Sequence, residues 1–386
     1  MDHWLPKPGP FFAGMGLSFL ACVLAGRYYS QHNIFRDDLA RFHMKTSSEV
    51  NFFPTPSQLL RFAEHRIPAD RIGVIVGGSS VLHGIAQRPE YLWSKRMQDL
   101  LGDRFRVINV SSRGGAPHEY GNWVSEMLLK KRRRVVHVSD IFPCYYMSYD
   151  PAGLQIRDFF WAARARDLLL PDWPERAKRL EQVKLERAAE RAKEPNPRLM
   201  AILDARLNFN DLWGSFRYLH FGTFYSPLLA PRLSTLFMPL RYQEDVEEVA
   251  PPIPARYLRA NLRREMHILS ELSIPCADGP LRKMEEDFAS SISPQVRHVS
   301  VFLMQDNSPY FVNQLSPQQQ RQLRENSRIS AEALERYGVT LLQGDFLDET
   351  DFADRVHLTE EGGAKLAQRM SVLVREKARQ AYGENP

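Results

Sequence analysis

The sequence predicts an α/β protein with a doubly wound parallel sheet of about five strands. Short apolar runs alternate along the chain with amphipathic segments, and the runs are apolar on both faces. Strands of this kind are typical of parallel sheets that helices cover on both sides. The predicted strands are residues 72–76, 105–110, 133–142, 296–305 and 339–343.

Helices are predicted in the segments between these strands. In "EYLWSKRMQDLLG", residues 90–102, the apolar side chains recur at helical spacing. A shorter helix before the first strand has Thr55 and Ser57 as candidate caps, and Thr359 is the predicted cap of the last helix. The other predicted helices cover residues 55–66, 118–131, 318–338 and 359–383.

The alternation of predicted strands and helices is interrupted in the middle of the chain. Residues 151–295 contain a highly charged helical segment, interpreted as a solvated face, and a segment dense in aromatic residues between 209 and 225. The aromatic residues either form the core of an inserted lobe or face a lipid, an acyl chain or a membrane partner. The predicted organisation is an anchor at 1–30, a connector at 31–70, a split α/β domain at 71–150 and 296–386, and a mainly helical insertion at 151–295.

The N-terminal segment predicts a membrane anchor. Nineteen uncharged residues lie between Lys7 and Arg27, and as a helix they would reach about 28 Å, close to the thickness of a bilayer's hydrocarbon core. A cleaved signal peptide and a buried helix are the alternatives. The distribution of Lys and Arg around the segment does not favour an extracytoplasmic location for the rest of the chain.

Composition and short motifs exclude several classes of function. The net charge is +5, but the sequence has no basic motif and no aromatic stacking signature, which argues against a nucleic-acid partner. The sequence contains no H-E-x-x-H, EF-hand or P-loop pattern, so no metal and no nucleotide cofactor is predicted. Cys22, Cys144 and Cys276 lie far apart and form no C-x-x-C pair, which predicts neither a zinc site nor a disulfide framework.

The stretch "VIVGGSSVLHG", residues 74–84, is the first candidate for chemistry. It places glycines and two serines directly after the first predicted strand, at the sheet edge where parallel α/β proteins bind ligands. Small residues let backbone N–H groups approach a reacting carbonyl, and a serine in this place becomes a nucleophile when a base is within reach. A plain tight turn is the alternative.

The stretch "DFADRVHLTEEGG" supplies the matching base after the fifth predicted strand. Asp354 and His357 are three residues apart and are predicted at the same sheet edge as Ser80. A carboxylate at this spacing holds one imidazole nitrogen and leaves the other free to accept a hydroxyl proton. A surface ion pair is the alternative for this motif taken alone.

Together these motifs resemble the SGNH, or GDSL-type, hydrolases and acyltransferases. "GSSVLHG" is similar to the family's G-D-S-x-x-x-G motif through Gly78, Ser80 and Gly84, with Ser79 as an alternative nucleophile. "INVSSRGGAP" is similar to the second motif, with Gly114 in the position of the oxyanion glycine, and Asp354 and His357 match the D-x-x-H motif. The resemblance implies a flavodoxin-like sheet, a Ser80-His357-Asp354 triad, an oxyanion hole formed by the Ser80 and Gly114 N–H groups, and no cofactor.

The third family motif, G-x-N-D, is not matched. The third predicted strand ends in "VHVSDIFP", where Ser139 and Asp140 stand without an asparagine. Ser139, a backbone N–H or Asn307 are the candidates to replace the missing donor, and low activity is a further alternative. We expect the Asp140 side chain to turn away from a developing oxyanion, because two negative charges repel each other. Ser79, Ser139 and Asn307 are the candidate substrate-binding residues.

The same gap occurs in membrane-tethered relatives that act on cell-envelope glycans, including the D-alanyl-transfer and alginate-acetylation proteins. The resemblance therefore implies a membrane-anchored, extracytoplasmic serine esterase or O-acyltransferase acting on acyl esters, acetyl esters first, of an envelope glycan. A membrane acyltransferase is the implied partner. The alternatives are a non-catalytic scaffold that binds a glycan or that acyltransferase, and a lipid esterase.

Overall fold

A computed structural model describes residues 8–33, 44–45, 51–52, 56–111, 115, 117, 120–144, 259–277 and 279–383. The charged and aromatic segments predicted within the insertion lie outside the described residues, as does Gly114. Before the main sheet the chain forms a helix, a two-stranded antiparallel ribbon and a second helix. These are α1 (Pro8–Asn33), β1 (Met44–Lys45), β2 (Asn51–Phe52) and α2 (Pro56–Arg66).

The first part of the α/β unit contains three strands and the segments between them. These are β3 (Ile72–Val76), α3 (Ser80–His83), a 3-10 turn (Pro89–Tyr91), α4 (Trp93–Leu101), β4 (Phe105–Asn109), α5 (Tyr120–Lys130) and β5 (Val135–Ile141).

The second part begins with two helices and contains the last two strands. Its elements are α6 (Arg259–Leu272), α7 (Gly279–Ser291), α8 (Pro294–His298), β6 (Ser300–Met304), α9 (Pro309–Val312), α10 (Pro317–Glu335), β7 (Thr340–Gln343), a 3-10 turn (Glu349–Asp351) and α11 (Glu360–Tyr382).

The five strands of the α/β unit form one fully parallel sheet in the order β4-β3-β5-β6-β7. Counted within the sheet, this order is 2-1-3-4-5, which is the flavodoxin-like doubly wound arrangement. The predicted fold class and the existence of all five strands are confirmed. The fourth strand is shorter than predicted because Ser293 caps a short helix, with Pro294 in its first turn, that takes up residues 294–298.

Alternate residues of β6 show how the two faces of the sheet are covered. Val301 and Leu303 belong to a core that includes α4 and α11, whereas Phe302 and Met304 belong to a core that includes α7, α8 and α10. Every residue of β3, β5 and β6 is buried. Helices on both faces leave the carboxyl ends of the central strands as the open edge of the sheet.

The expectation that the cysteines form no disulfide is wrong for one pair. Cys144, just after β5, and Cys276, between α6 and α7, are joined by a disulfide bond, with their Cα atoms 6.1 Å apart. No spacing pattern in the sequence indicates this pair, because 132 positions separate the two residues and only the folded sheet brings them together.

The chain divides into two compact units. Among the described residues, α1, the ribbon and nearly all of α2 belong to one unit, and the five-stranded sheet with its helices belongs to the other. None of the described helices, α1 included, is long and apolar enough to span a bilayer.

Candidate active site

The loop after β3 brings a serine hydroxyl to the open edge of the sheet. Gly78 has a φ of +97°, a backbone conformation that favours glycine, and it turns the chain from the strand towards α3. Ser79 is the N-cap of α3, and its hydroxyl accepts a hydrogen bond from the N–H of Val81 at 3.2 Å. Ser80 is therefore the first residue of the helix, and Gly84 in the left-handed conformation ends it.

The loop before α11 presents an imidazole in a fixed orientation. The Oδ1 atom of Asp354 accepts hydrogen bonds from the backbone N–H groups of Val356 at 2.9 Å and His357 at 2.8 Å. Phe352 and Leu358 form an antiparallel bridge across the base of this loop. Thr359 caps α11, as predicted, by accepting from the N–H of Gly362.

The two loops meet to form a continuous chain of hydrogen-bonding groups. The Nε2 atom of His357 lies 2.8 Å from the Oγ atom of Ser80, and the Nδ1 atom lies 2.6 Å from the Oδ2 atom of Asp354. The side chains of His357 and Asp354 are 19% and 32% exposed, so solvent reaches both of them. The structure thus brings together all three predicted triad residues, in the geometry that general-base activation of a hydroxyl requires.

Hydrogen bonds keep Asp354 in its charged form. Burial alone would raise the pKa of this carboxyl, but the side chain of His357 and the backbone N–H groups of His357 and Val356 hold the pKa below its ordinary value. An ionised Asp354 accepts the Nδ1 proton of His357, which leaves Nε2 as the acceptor that faces Ser80.

Ser79, the alternative nucleophile, has different partners. Its hydroxyl donates to the Oδ2 atom of Asp140 at 2.5 Å, and its backbone N–H donates to Oδ1 of the same carboxylate at 2.8 Å. The amide of Gln305 donates to the Ser79 hydroxyl at 2.8 Å and to Asp140. Asp140 thus faces the loop that carries the two serines.

The candidates for the missing oxyanion donor differ in their surroundings. Ser139 is fully buried in β5, and its hydroxyl has no hydrogen-bond partner among the described residues. The Oδ1 atom of Asn307 accepts a hydrogen bond from Arg355, whose Nε atom pairs with Glu265 at 2.7 Å. The arginine thereby orients the amide of Asn307 and leaves its NH₂ group as a donor.

A small cleft opens beside the nucleophile loop. Its polar wall includes Ser79, Asp140 and Gln305, and its apolar wall includes Pro117, Ile141 and Phe142. Gln305 was not among the residues predicted for the site. Its position directly after β6, at the carboxyl end of a parallel strand, was the one available signal.

Comparisons with known proteins do not assign this chain to a family. No protein-family model and no curated protein matches the chain at a significant level. Within the described residues, no cluster of three or more His, Cys, Asp or Glu side chains is arranged to hold a metal ion.

Proposed function

We propose that this protein is a serine esterase or O-acyltransferase of the SGNH type. The observation that carries the proposal is the relay from Ser80 through His357 to Asp354, with distances of 2.8 Å and 2.6 Å between the bonding atoms. Similar relays occur on unrelated folds wherever a hydroxyl is activated for attack on a carbonyl.

The proposed reaction proceeds through an acyl-enzyme. The Ser80 oxygen attacks the carbonyl carbon of an ester while its proton passes to Nε2 of His357. The tetrahedral intermediate then expels the alcohol, which takes that proton from His357, and leaves the acyl group on Ser80. Water, or the hydroxyl of an acceptor, next gives a proton to His357 and attacks the carbonyl of the acyl-enzyme. The second tetrahedral intermediate expels the Ser80 oxygen, which takes that proton back from His357, and the acid or the new ester is released.

The proposed oxyanion hole consists of backbone donors. The N–H of Ser80 opens α3, and the N–H of Gly114 is the second donor that the family resemblance implies. Without the third motif's asparagine, the hole lacks a donor that is worth about 2.7–4 kcal/mol of transition-state stabilisation where it has been removed from other enzymes. The amide of Asn307 is the proposed replacement, because Arg355 fixes its orientation.

The proposed location is outside the cytoplasm, attached to a membrane through α1. The Cys144–Cys276 disulfide supports an oxidising compartment. Large apolar side chains of α1 are exposed, and they belong to the 19-residue uncharged stretch of the sequence. They are Phe11, Phe12, Met15, Leu17, Leu20 and Leu24. The proposed substrate is an acyl ester, acetyl first, of an envelope glycan, with a membrane acyltransferase as partner.

A fluorophosphonate probe tests the proposal on the full chain in detergent. We expect labelling of the folded protein that is lost in Ser80→Ala and retained in Ser270→Ala, a matched change in α6 where the hydroxyl bonds to the backbone of its own helix. Turnover of p-nitrophenyl acetate should follow the same pattern. Acetylated glycans and longer acyl lipids offered as competitors then separate a glycan esterase from a lipid esterase.

A non-catalytic scaffold is the second candidate function. The observation in its favour is the third strand, which ends in Ser139 and Asp140 instead of supplying an asparagine. A folded protein that neither reacts with the probe nor hydrolyses the ester would support the scaffold and overturn the enzyme.

A further inference from the structure

A buried carboxylate that is not part of the triad contacts the residue before the proposed nucleophile. Asp140 is 1% exposed, and its two neighbours, Ser79 and Gln305, are 6% and 2% exposed. Three donors converge on the carboxylate: the N–H and the hydroxyl of Ser79, and the side-chain amide of Gln305. We call Asp140, Ser79 and Gln305 together the carboxylate clamp.

The fold builds the clamp from three adjacent strand ends. Asp140 lies near the end of β5, Gln305 follows β6, and Ser79 lies in the loop after β3. Backbone hydrogen bonds tie these ends together, from the N–H of Gly77 to Val138 at 2.8 Å and from the N–H of Gln305 to Ile141 at 2.8 Å. The carboxylate is therefore held by the sheet rather than by a loop.

Gly78 permits the close approach between the loop and the carboxylate. A Cβ atom on this residue would lie 2.2 Å from Oδ1 of Asp140, which is far inside van der Waals contact. The positive φ of Gly78 then directs the next N–H, that of Ser79, towards the same oxygen. The N–H of Ser79 is thereby used by Asp140 and is not available to an oxyanion.

Ser79, the member of the clamp that precedes the proposed nucleophile, is bonded to α3 as well as to Asp140. The Ser79 hydroxyl donates to Asp140 and accepts from the N–H of Val81, so one side chain connects the carboxylate to the first turn of α3. The backbone of Ser80 lies between these two attachments. Its N–H and its side chain can move little unless one of the two hydrogen bonds breaks.

We propose that Asp140 is a positioning residue for Ser80, acting through Ser79 and Gln305 from the end of β5. This inference rests on the proposed esterase function and adds to it the device that orients the nucleophile. A nucleophile held near its attack geometry reacts faster without tighter substrate binding, because folding has already supplied the entropy cost of orienting it. Loss of the clamp should therefore lower kcat more than it changes KM.

The clamp holds all three donors only while Asp140 is ionised. Burial raises the pKa of this carboxyl to about 6, although the hydrogen bonds from Ser79 and Gln305 act in the opposite direction. Among the described residues, the groups that lower the pKa are Ser79, Gln305 and the backbone N–H of Asp140 itself. Protonation would place a carboxyl hydrogen where a donor now bonds and would weaken the hold on the loop. Activity should therefore fall as the pH falls through this range.

The test compares kcat, KM and the acid limb of the pH profile in the full chain with p-nitrophenyl acetate. In Asp140→Asn we expect kcat to fall by about tenfold or more, with a smaller change in KM, and an acid limb of kcat/KM that is less steep by one proton. In Ser79→Ala the carboxylate loses a bond that lowers its pKa, so the acid limb should move to higher pH. Ser300→Ala, which removes a buried hydroxyl bonded to Val296 and His137, is the matched control for stability.

The outcomes separate this inference from the proposed function. An active wild type whose acid limb is unchanged in Ser79→Ala and Asp140→Asn would overturn the clamp and leave the esterase proposal intact. A folded wild type that is inactive and does not label would overturn the esterase proposal itself. If Asp140→Asn fails to fold, the shift in Ser79→Ala alone decides the inference.

Discussion

The Nε2 atom of His357 lies 2.8 Å from the Oγ atom of Ser80, although 277 positions separate the two residues in the chain. Two contacts join the segment after α3 to the start of α11. The guanidinium of Arg88 pairs with Glu360 in the first turn of α11 at 2.7 Å, and the amide of Gln87 donates to the backbone of Leu358. The residues that follow the Ser80 helix are thus attached to the residues that follow His357.

Asp354→Asn should lower kcat by about 10⁴-fold, the effect of the same change in the chymotrypsin-type serine triad. Oδ1 of Asp354 accepts two backbone N–H groups, so the amide oxygen of the variant would keep that place. Its NH₂ group would then face Nδ1 of His357 and favour the tautomer that cannot accept the Ser80 proton. The measurement is the rate of fluorophosphonate labelling and of p-nitrophenyl acetate turnover.

Glu332→Gln is the control for this prediction. Glu332 forms an exposed ion pair with Arg328 on α10, and such pairs contribute little to stability. We expect this variant to retain wild-type activity. Equal rates in Asp354→Asn and wild type would remove Asp354 from the mechanism.

The strands and the triad motifs were readable in the sequence because each depends on local information. Buried strands are apolar on both faces, and the D-x-x-H loop encodes its own hydrogen bonds from Asp354 to Val356 and His357. The parallel order of strands then brings the motifs together, since the carboxyl ends of all five strands lie at one edge. No comparable local pattern exists for Gln305, which reaches Ser79 across 226 positions.

The side-chain direction of Asp140 and the disulfide could not be predicted for the same reason. We expected Asp140 to avoid a negative charge, but the sequence does not show that two donors from Ser79 and one from Gln305 surround it. The pairing of Cys144 with Cys276 depends on where α6 and α7 lie relative to the end of β5. Both depend on how distant segments pack together, and neither shows as a characteristic residue spacing in a single sequence.

Gly78→Ala should destabilise the fold and reduce activity, whereas Gly102→Ala should only destabilise it. Both glycines have positive φ, +97° and +74°, so both substitutions carry backbone strain of about 1 kcal/mol or more. A Cβ on Gly102 would meet no atom within 4 Å, but a Cβ on Gly78 would collide with Asp140. The difference between the two variants in urea-induced unfolding and in labelling rate measures the cost of displacing the carboxylate clamp; equal effects would contradict this account.

His137 should make the protein less stable as the pH falls. It is fully buried, and the hydroxyl of Ser300 donates to the carbonyl of Val296, so the Nδ1–H group of His137 donates to Ser300. Burial lowers the pKa of His137 to about 3, so the unfolded chain binds a proton that the folded protein does not between that value and about pH 6.5. The free energy of unfolding should therefore decrease, by at most about 1.4 kcal/mol per pH unit, as the pH falls through this window.

His137→Gln, measured by urea unfolding from about pH 6.5 down to pH 4, should show a shallower dependence on pH than wild type. His267→Gln is the control, because the His267 side chain is 75% exposed. It should reproduce the wild-type slope. A wild-type slope in His137→Gln would show that other groups account for the acid sensitivity.

Reduction of the Cys144–Cys276 disulfide should lower the free energy of unfolding by about 4–5 kcal/mol, because the bond closes a loop of more than 100 residues in the unfolded chain. Activity should fall as well, since Ile141 and Phe142, which line the cleft beside Ser79, lie three and two residues before Cys144. The midpoint of urea unfolding and the ester turnover rate should both drop in Cys276→Ser and in reduced wild type. Cys22→Ser leaves the disulfide intact and should keep the wild-type midpoint and the same loss on reduction. Because two of the three cysteines are paired, one free thiol is expected before reduction and three after it; three free thiols in the native, unreduced protein would contradict the bond.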